Sequence, residues 1–290
     1  MEYEAVIGME IHAELDTQTK LFCGCSTRFG AEPNTQTCPV CLGLPGSLPV
    51  LNRKAFEYAV KTALALKCKI ARDLDFDRKN YYYPDLPKNF QISQLYRNIG
   101  TEGEVEIASG GGWKRVGIWN VHLEEDAGKL VHSETPGTDY TLVDLNRAGR
   151  PLLEIVSAPD MRTVEDVEAY MKTVRNTLLY LGVSNCKIEQ GSIRFEAGVS
   201  VKPKDSEKLG PRVEIKNLGS ITAVTRAVEY EIARQTEVLR QGGRNAQETR
   251  LWNDNAKRTE VMRAKEHAHD YRYFPEPDLP ACSISEEELK

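Results

Sequence analysis

No stretch of the 290-residue chain approaches the roughly 18 consecutive apolar residues that a membrane-spanning helix needs, so the expected protein has no membrane-spanning helix. It has no low-complexity tract and no internal repeat, which excludes solenoid architectures. Nor is there an excess of positive charge. Lys and Arg number 38 against 43 Asp and Glu, a formal net charge of -5. That balance is the wrong sign for a protein that coats nucleic acid with its whole surface, although one local basic patch touching RNA stays compatible with it. The opening Met1-Glu2-Tyr3-Glu4 is acidic and runs straight into a patterned strand, unlike a secretory or transit segment, and the expected compartment is the cytoplasm.

What is present is the composition of a globular protein, 40% hydrophobic and 28% charged, with enough chain for a sizeable core. Seven cysteines is an odd count, which favours a metal site over a disulfide framework. Cys68, Cys186 and Cys282 are isolated, and the first two fall in apolar surroundings that suit small core residues. The remaining four form two pairs, Cys23-Gly-Cys25 and Cys38-Pro-Val-Cys41, separated by twelve residues. Thiolates so spaced in tight turns converge on tetrahedral zinc. Four protein ligands leave no open position, so the ion would clamp a loop over residues 21–49 and take no part in catalysis. A redox pair is the weaker alternative, because no βαβ pattern surrounds Cys38-x-x-Cys41.

Residues 3–15 alternate. Tyr3, Ala5, Ile7, Met9, Ile11, Ala13 and Leu15 point one way, and Glu4, Gly8, Glu10, His12 and Glu14 the other, which predicts a half-buried strand with an acidic second face. Amphipathic helices are expected at 53–68, 163–182 and 220–241. The second opens on Thr163 with Asp166 at capping-box spacing and closes on Gly182. Further strands are expected at 104–108 and 114–123 (a hairpin around Gly110-Gly111-Gly112), and at 138–146, 152–157, 192–201 and 212–216. Residues 71–100 hold no period and read as a functional loop. Hairpins and long helices in this order predict an α+β fold with a largely antiparallel sheet.

Several strands repeat the polar parity of the first. His122 and Glu124 share one face, with Glu125 and Asp126 beyond; Arg194 with Glu196, and Glu214 with Lys216, do the same. If the helices cover the apolar face, the other becomes a basin of carboxylates, imidazoles and cations. That suits metal–nucleotide chemistry, in which carboxylates hold Mg²⁺ and cations neutralise phosphoryl charge. The alternative is a solvated face of exchangeable charges, and its recurrence over several strands weighs against that. Imidazole is an unusual Mg²⁺ ligand, so His12 could instead orient a water or admit Mn²⁺.

At this point the residues resemble a known family, the B subunits of aspartyl/glutamyl-tRNA amidotransferases. The resemblance is carried by Val6-Ile-Gly-Met-Glu-Ile-His12, Phe29-Gly-Ala-Glu-Pro-Asn34, Arg78-Lys-Asn-Tyr-Tyr-Tyr-Pro-Asp85 and Gln91-Ile-Ser-Gln94. It continues in His122-Leu-Glu-Glu-Asp-Ala-Gly-Lys129, Asp144-Leu-Asn-Arg147, Pro151-Leu-Leu-Glu-Ile-Val156 and Asp270-Tyr-Arg-Tyr-Phe-Pro-Glu-Pro-Asp278. It implies one catalytic domain over residues 1–290, a glutamine-synthetase-like cradle with the zinc loop as an insertion. It implies an ATP- and Mg²⁺-using ligase that phosphorylates the side-chain carboxylate of Glu-tRNA(Gln) or Asp-tRNA(Asn). Ammonia released by an A subunit, in a complex with a C subunit, would then form the amide. By position, Glu10, His12 and Glu125, with Glu124 beside it, look like the Mg²⁺ set, and Lys79 like the family's lysine facing the site. Arg194, Glu196, Glu214 and Lys216 are phosphate neighbours by parity, and Tyr81 to Tyr83 would stack on the tRNA acceptor end or pack as an aromatic loop. The chain departs from the family pattern at Glu196, Gly198 and Gly219. Members of the family continue into a helical and a tail domain, and the chain ends at Lys290 before these, which implies either a piece of a longer chain or a shortened paralogue. A non-catalytic binding module on the same fold, or another carboxylate–amine ligase, are the competing readings.

Overall fold

The alternation of residues 3–14 produces the central strand of the molecule. Ile7, Met9, Ile11 and Ala13 are all at most 1% exposed, while Glu10 and His12 on the other face stay partly accessible. The computed structural model describes residues 2–132, 139–264, 270–287 and 289. In chain order its elements begin with β1 (Tyr3–Glu14), α1 (Pro39–Leu42), α2 (Arg53–Ala65), β2 (Lys69–Ile70), β3 (Asp73–Leu74), β4 (Asp77–Asn80) and β5 (Phe90–Ser93). The long hairpin β6 (Gly100–Ser109) and β7 (Gly112–Glu125) follows, then β8 (Lys129–His132), β9 (Thr141–Asp144), β10 (Pro151–Ser157) and α3 (Val164–Leu181). The chain continues through β11 (Ile193–Pro203), β12 (Val213–Leu218), α4 (Ile221–Arg240), β13 (Glu248–Asn253), β14 (Arg258–Ala264), β15 (Phe274–Pro275) and β16 (Cys282–Ser283).

Nine strands form one sheet in the order β14-β13-β12-β11-β1-β10-β7-β6-β2. Every neighbouring pair is antiparallel except β12 and β13, which are parallel. A parallel pair needs a crossover, and α4 supplies it. The α+β expectation with a mostly antiparallel sheet therefore describes the architecture. Helices α2, α3 and α4 pack over the apolar face and share one core with the sheet. Their starts are set by side chains: Asn52 caps α2, Ser220 caps α4, and Thr163 and Asp166 form the reciprocal capping box of α3. Gly182, at φ 67°, ends α3 in the left-handed conformation that glycine adopts without steric cost.

Three stretches differ from the sequence expectation. Residues 71–100 contain β3, β4 and β5, and β4 is the middle strand of a small β15-β4-β5 sheet. Strands too short to show a period are invisible to pattern reading, and here the partner lies almost two hundred residues downstream. Residues 248–264 form β13 and β14, which extend the main sheet beyond β12 and were not anticipated. The strand expected at 138–146 is confined to Thr141–Asp144, paired with β8, and residue 138 lies outside the described residues. Cys68 and Cys186 are buried in the core as their surroundings suggested.

Candidate active site

The uncovered face of the sheet carries the polar parity as one continuous row. Cross-strand register sets His12 on β1 opposite Arg194 on β11 and Glu154 on β10, and Glu154 opposite His122 on β7. His12 Nε2 lies 3.4 Å from Glu154 Oε2 and 3.9 Å from Glu124 Oε1. His122 Nε2 lies 3.3 Å from the same Glu154 oxygen and 3.9 Å from Glu124 Oε2. His12, Glu124 and Glu154 each offer one ligand atom within 4.8 Å of the others. One imidazole and two carboxylates so arranged fit a divalent ion of Mg²⁺ or Mn²⁺ type.

The electrostatics follow from packing charges out of water. Burial pushes the His12 imidazole down, but the hydrogen bond and charge of Glu154, with Glu124 and Glu196 beyond, outweigh it and hold His12 up to about 9. His122 is raised for the same reason, chiefly by Glu154 against the cost of burial. Burial and the neighbouring Glu154 raise Glu124. Glu154, between two imidazoles, is held well below the ordinary carboxylate range despite its burial.

The remaining expected residues fall into distinct places. Lys79, on β4, faces this cluster: burial opposes its charge, but Glu124 and Glu154 hold its ammonium above the usual lysine value. Its Nζ also sits 4.9 Å from the centre of the Tyr271 ring and 5.8 Å from that of Tyr81. Glu10 lies one row further along β1 and pairs with Arg212. Glu125 turns away from the row, accepting the Ile92 N–H at 3.1 Å and pairing with Lys88. Neither belongs to the donor set that His12 forms with Glu124 and Glu154. Arg194 donates two hydrogen bonds to the Asp126 carboxylate at 2.9 and 3.0 Å, a bidentate clasp. Lys216 pairs with Glu196 at 2.7 Å and Glu214 at 3.1 Å. Tyr82 and Tyr83 are exposed at the tip of their loop.

Sequence reasoning left Glu154 out of the donor set, although a signal was there. In Pro151-Leu-Leu-Glu-Ile-Val156 it is the one charge in an otherwise apolar strand, and such a charge in a central strand needs a partner. The role of the tail was also hidden. β15 pairs with β4, and Arg78 is held by Glu276 at 2.7 and 2.9 Å and by Asp278 at 2.9 Å, which brings Tyr271 and Tyr273 to Lys79.

The four clustered cysteines converge, Cys23, Cys25, Cys38 and Cys41 offering sulfurs all within 4.8 Å of one another. Helix α1 starts at this cluster, and the Cys38 N–H donates to Cys41 Sγ at 3.2 Å. Cys41 is drawn down to about 4, first by its hydrogen bond from Cys23, while burial raises Cys25 to about 11. Four converging sulfurs, with Cys41 already drawn toward the thiolate, can hold a tetrahedral cation once the others give up their protons.

Comparison with known proteins adds an independent line. A family model described as the GatB/GatE catalytic domain matches residues 5–290. Proteins named as the B subunit of aspartyl/glutamyl-tRNA(Asn/Gln) amidotransferase are close in sequence. The one from Carboxydothermus hydrogenoformans is 57% identical over 290 residues, covering 100% of this chain and 60% of its own length. That from Moorella thermoacetica is 58% identical over 284 residues, 98% of this chain and 60% of its own. That from Geotalea uraniireducens is 57% identical over 280 residues, 96% and 58% respectively. The chain thus spans about 60% of the length of these curated relatives.

Proposed function

Because the chain belongs to the GatB/GatE catalytic-domain family, we propose that it activates the side-chain carboxylate of a glutamate or aspartate esterified to tRNA and directs its amidation. The observation that carries this reading is the His12–Glu124–Glu154 donor set on the open polar face, with Lys79 above it. A carboxylate anion resists ammonia until one oxygen becomes a leaving group. ATP supplies that: a carboxylate oxygen takes the γ-phosphoryl group, ADP departs, and ammonia then displaces phosphate from the acyl carbon to leave the amide. The donor set would hold Mg²⁺, which would supply charge stabilisation for the transferred phosphoryl group.

The chain's own residues account for the rest. Lys79 is half-buried and held positively charged beside the Tyr81 and Tyr271 rings, and would offset charge on the acyl phosphate. Glu154 lies between the Nε2 atoms of both imidazoles, which would keep His12 Nε2 turned toward the donor set. The Asp126–Arg194 clasp orients a guanidinium at the end of the same row. The uncovered sheet face is the cradle in which the acceptor end would lie, the exposed Tyr82 and Tyr83 offering stacking surfaces for terminal bases. The cysteine cluster would hold zinc as a loop clamp. Ammonia would come from an amidase subunit with a small third subunit, in the cytoplasm.

The test is ATP hydrolysis by a full-length protein assembled with its partner subunits, with and without mischarged tRNA. Turnover dependent on mischarged tRNA and reduced at least hundredfold by Glu154→Ala is expected. ATP use indifferent to the tRNA would point to another carboxylate–amine ligase, and none at all to a binding module.

A further inference from the structure

Among the described residues Lys20 is the only buried lysine, with 0% of its surface exposed. Other buried cations nearby meet a carboxylate: Lys88 pairs with Glu125, and Arg150 with Glu14 at 2.8 Å. Lys20 has no such partner among the described residues. Its ammonium donates instead to Cys41 Sγ at 3.5 Å and to the Leu145 carbonyl oxygen at 3.4 Å. A carbonyl alone does not replace the water that a buried ammonium has lost. The counter-charge has to come from sulfur.

Cys41 is where such a charge is useful. It is the buried member of the four-cysteine cluster, while Cys23, Cys25 and Cys38 keep partial exposure. Four thiolates around a divalent cation carry surplus negative charge, which water screens at the three accessible sulfurs but not at Cys41. Two protein donors reach that sulfur, the Cys38 N–H at 3.2 Å and the Lys20 ammonium. The backbone holds the lysine in place. Its own N–H donates to the Cys25 carbonyl at 3.0 Å, and the Leu21 N–H donates to the Gly149 carbonyl at 2.9 Å. Lys20 is thereby fixed between the first cysteine pair and the turn at 145–150. Gly149 (φ 81°) lets that turn close over the contact, since a Cβ there would already lie 3.4 Å from Cys41 Cβ and 3.7 Å from Lys20 Cδ.

We propose that Lys20 is the counter-charge of the four-cysteine metal site, its ammonium offsetting surplus negative charge at Cys41 and so favouring a divalent cation held by four thiolates. The inference rests on the zinc reading above and names a residue, not itself a ligand, on which zinc affinity depends. Each side needs the other: the thiolates balance a lysine otherwise buried alone, and the lysine balances thiolates that water does not reach. The same ammonium also joins the metal loop to the active row. Leu145 opens the turn whose Gly149 N–H donates to the Asp126 carbonyl at 2.8 Å, and the Asp126 side chain clasps Arg194.

The experiment compares wild type, Lys20→Met and Lys20→Gln, each loaded with zinc and stripped of it. Zinc affinity is read by competition with a chromophoric chelator, and stability by urea unfolding. Methionine keeps the stem without the charge, and glutamine keeps an N–H donor without it. Outer-shell partners of metal ligands are worth about 10–100-fold in metal affinity, so both variants should bind zinc at least about tenfold more weakly. The sign of the stability change separates charge from packing. With zinc, both variants should unfold at lower urea than wild type. Without zinc they should unfold at equal or higher urea, because the substitution removes a poorly balanced buried ammonium. A lysine that only packs, or only bonds Leu145, would lower the midpoint equally in both states. Zinc affinity within about threefold of wild type in either variant overturns the counter-charge and leaves the zinc clamp standing. So does an equal loss of stability with and without zinc, or a variant that fails to fold where stripped wild type folds. Wild type that binds no stoichiometric zinc overturns the clamp and the counter-charge together.

Discussion

Replacing Asp166 should separate charge from capping at the start of α3. Its carboxylate accepts from the Ser109 hydroxyl and Lys114 Nζ, both at 2.6 Å, and from the Arg162 and Thr163 N–H groups at 3.0 and 3.2 Å. One side chain thus ties the helix N-terminus to the tip of the β6–β7 hairpin. Its pKa is lowered from 3.8 to about 2: burial opposes this, but Lys114, Ser109 and the Arg162 backbone outweigh it. That difference corresponds to at most roughly 2.4 kcal/mol at 1.36 kcal/mol per pKa unit. Lys114 is 44% exposed, so solvent screening reduces the figure to about 1–2 kcal/mol. Asp166→Asn keeps a carbonyl acceptor and should lose about that much. Asp166→Ala also leaves the buried Ser109 hydroxyl and two N–H groups without partners, and should lose roughly 2–4 kcal/mol. A depressed folded-state pKa stabilises above the unfolded value and ceases to do so as pH falls through the folded one. The deficit of Asp166→Asn should therefore be full at pH 7 and shrink between about pH 4 and pH 2. Urea unfolding followed by far-UV circular dichroism at several pH values measures this. An Asn variant within 0.3 kcal/mol of wild type at pH 7 (roughly the error of such comparisons), or an Ala variant no worse than Asn, would refute the reasoning.

The grouping of the donors is open to direct test. Glu154→Gln should weaken Mn²⁺ binding at least tenfold by paramagnetic relaxation titration, and Glu10→Gln, which loses its Arg212 pair, should change it less than threefold. Cys41→Ser should abolish stoichiometric zinc by atomic absorption and lower the thermal midpoint, and a chelator should reproduce that loss in wild type but not in the variant. Gly103→Ala should cost about 1–3 kcal/mol in urea unfolding, because the new Cβ would strike Cys68 Sγ and the Leu66 carbonyl oxygen, the latter at 2.6 Å; an unchanged midpoint would mean that the α2–β2 turn yields more easily than its packing suggests.

Much of the fold was legible in the chain because its period is local. The alternation around Ile7 to Ala13, the Thr163–Asp166 box and the Gly182 stop each act over a few residues, and each forms where the pattern puts it. The convergence of the four cysteines was legible for the same reason, two short-spaced pairs in one loop. Strands β4, β5, β13 and β14 were not. Strands β4 and β5 lack the length to show a period, and β4 also depends on a partner far along the chain, as Arg78 does on Phe274.

The sequence by itself determined which side chains occupy the polar face, since strand parity alone sends Glu10, His12, Glu124 and Arg194 to one side of the sheet. It could not determine which of them meet. That depends on register between strands distant in the chain, which sets His12 beside Glu154 and turns Glu125 to Lys88. Only that register also brought the tail tyrosines to Lys79. Parity is a property of one strand, whereas a site is made by neighbours, and neighbours are chosen by the packing of the whole sheet.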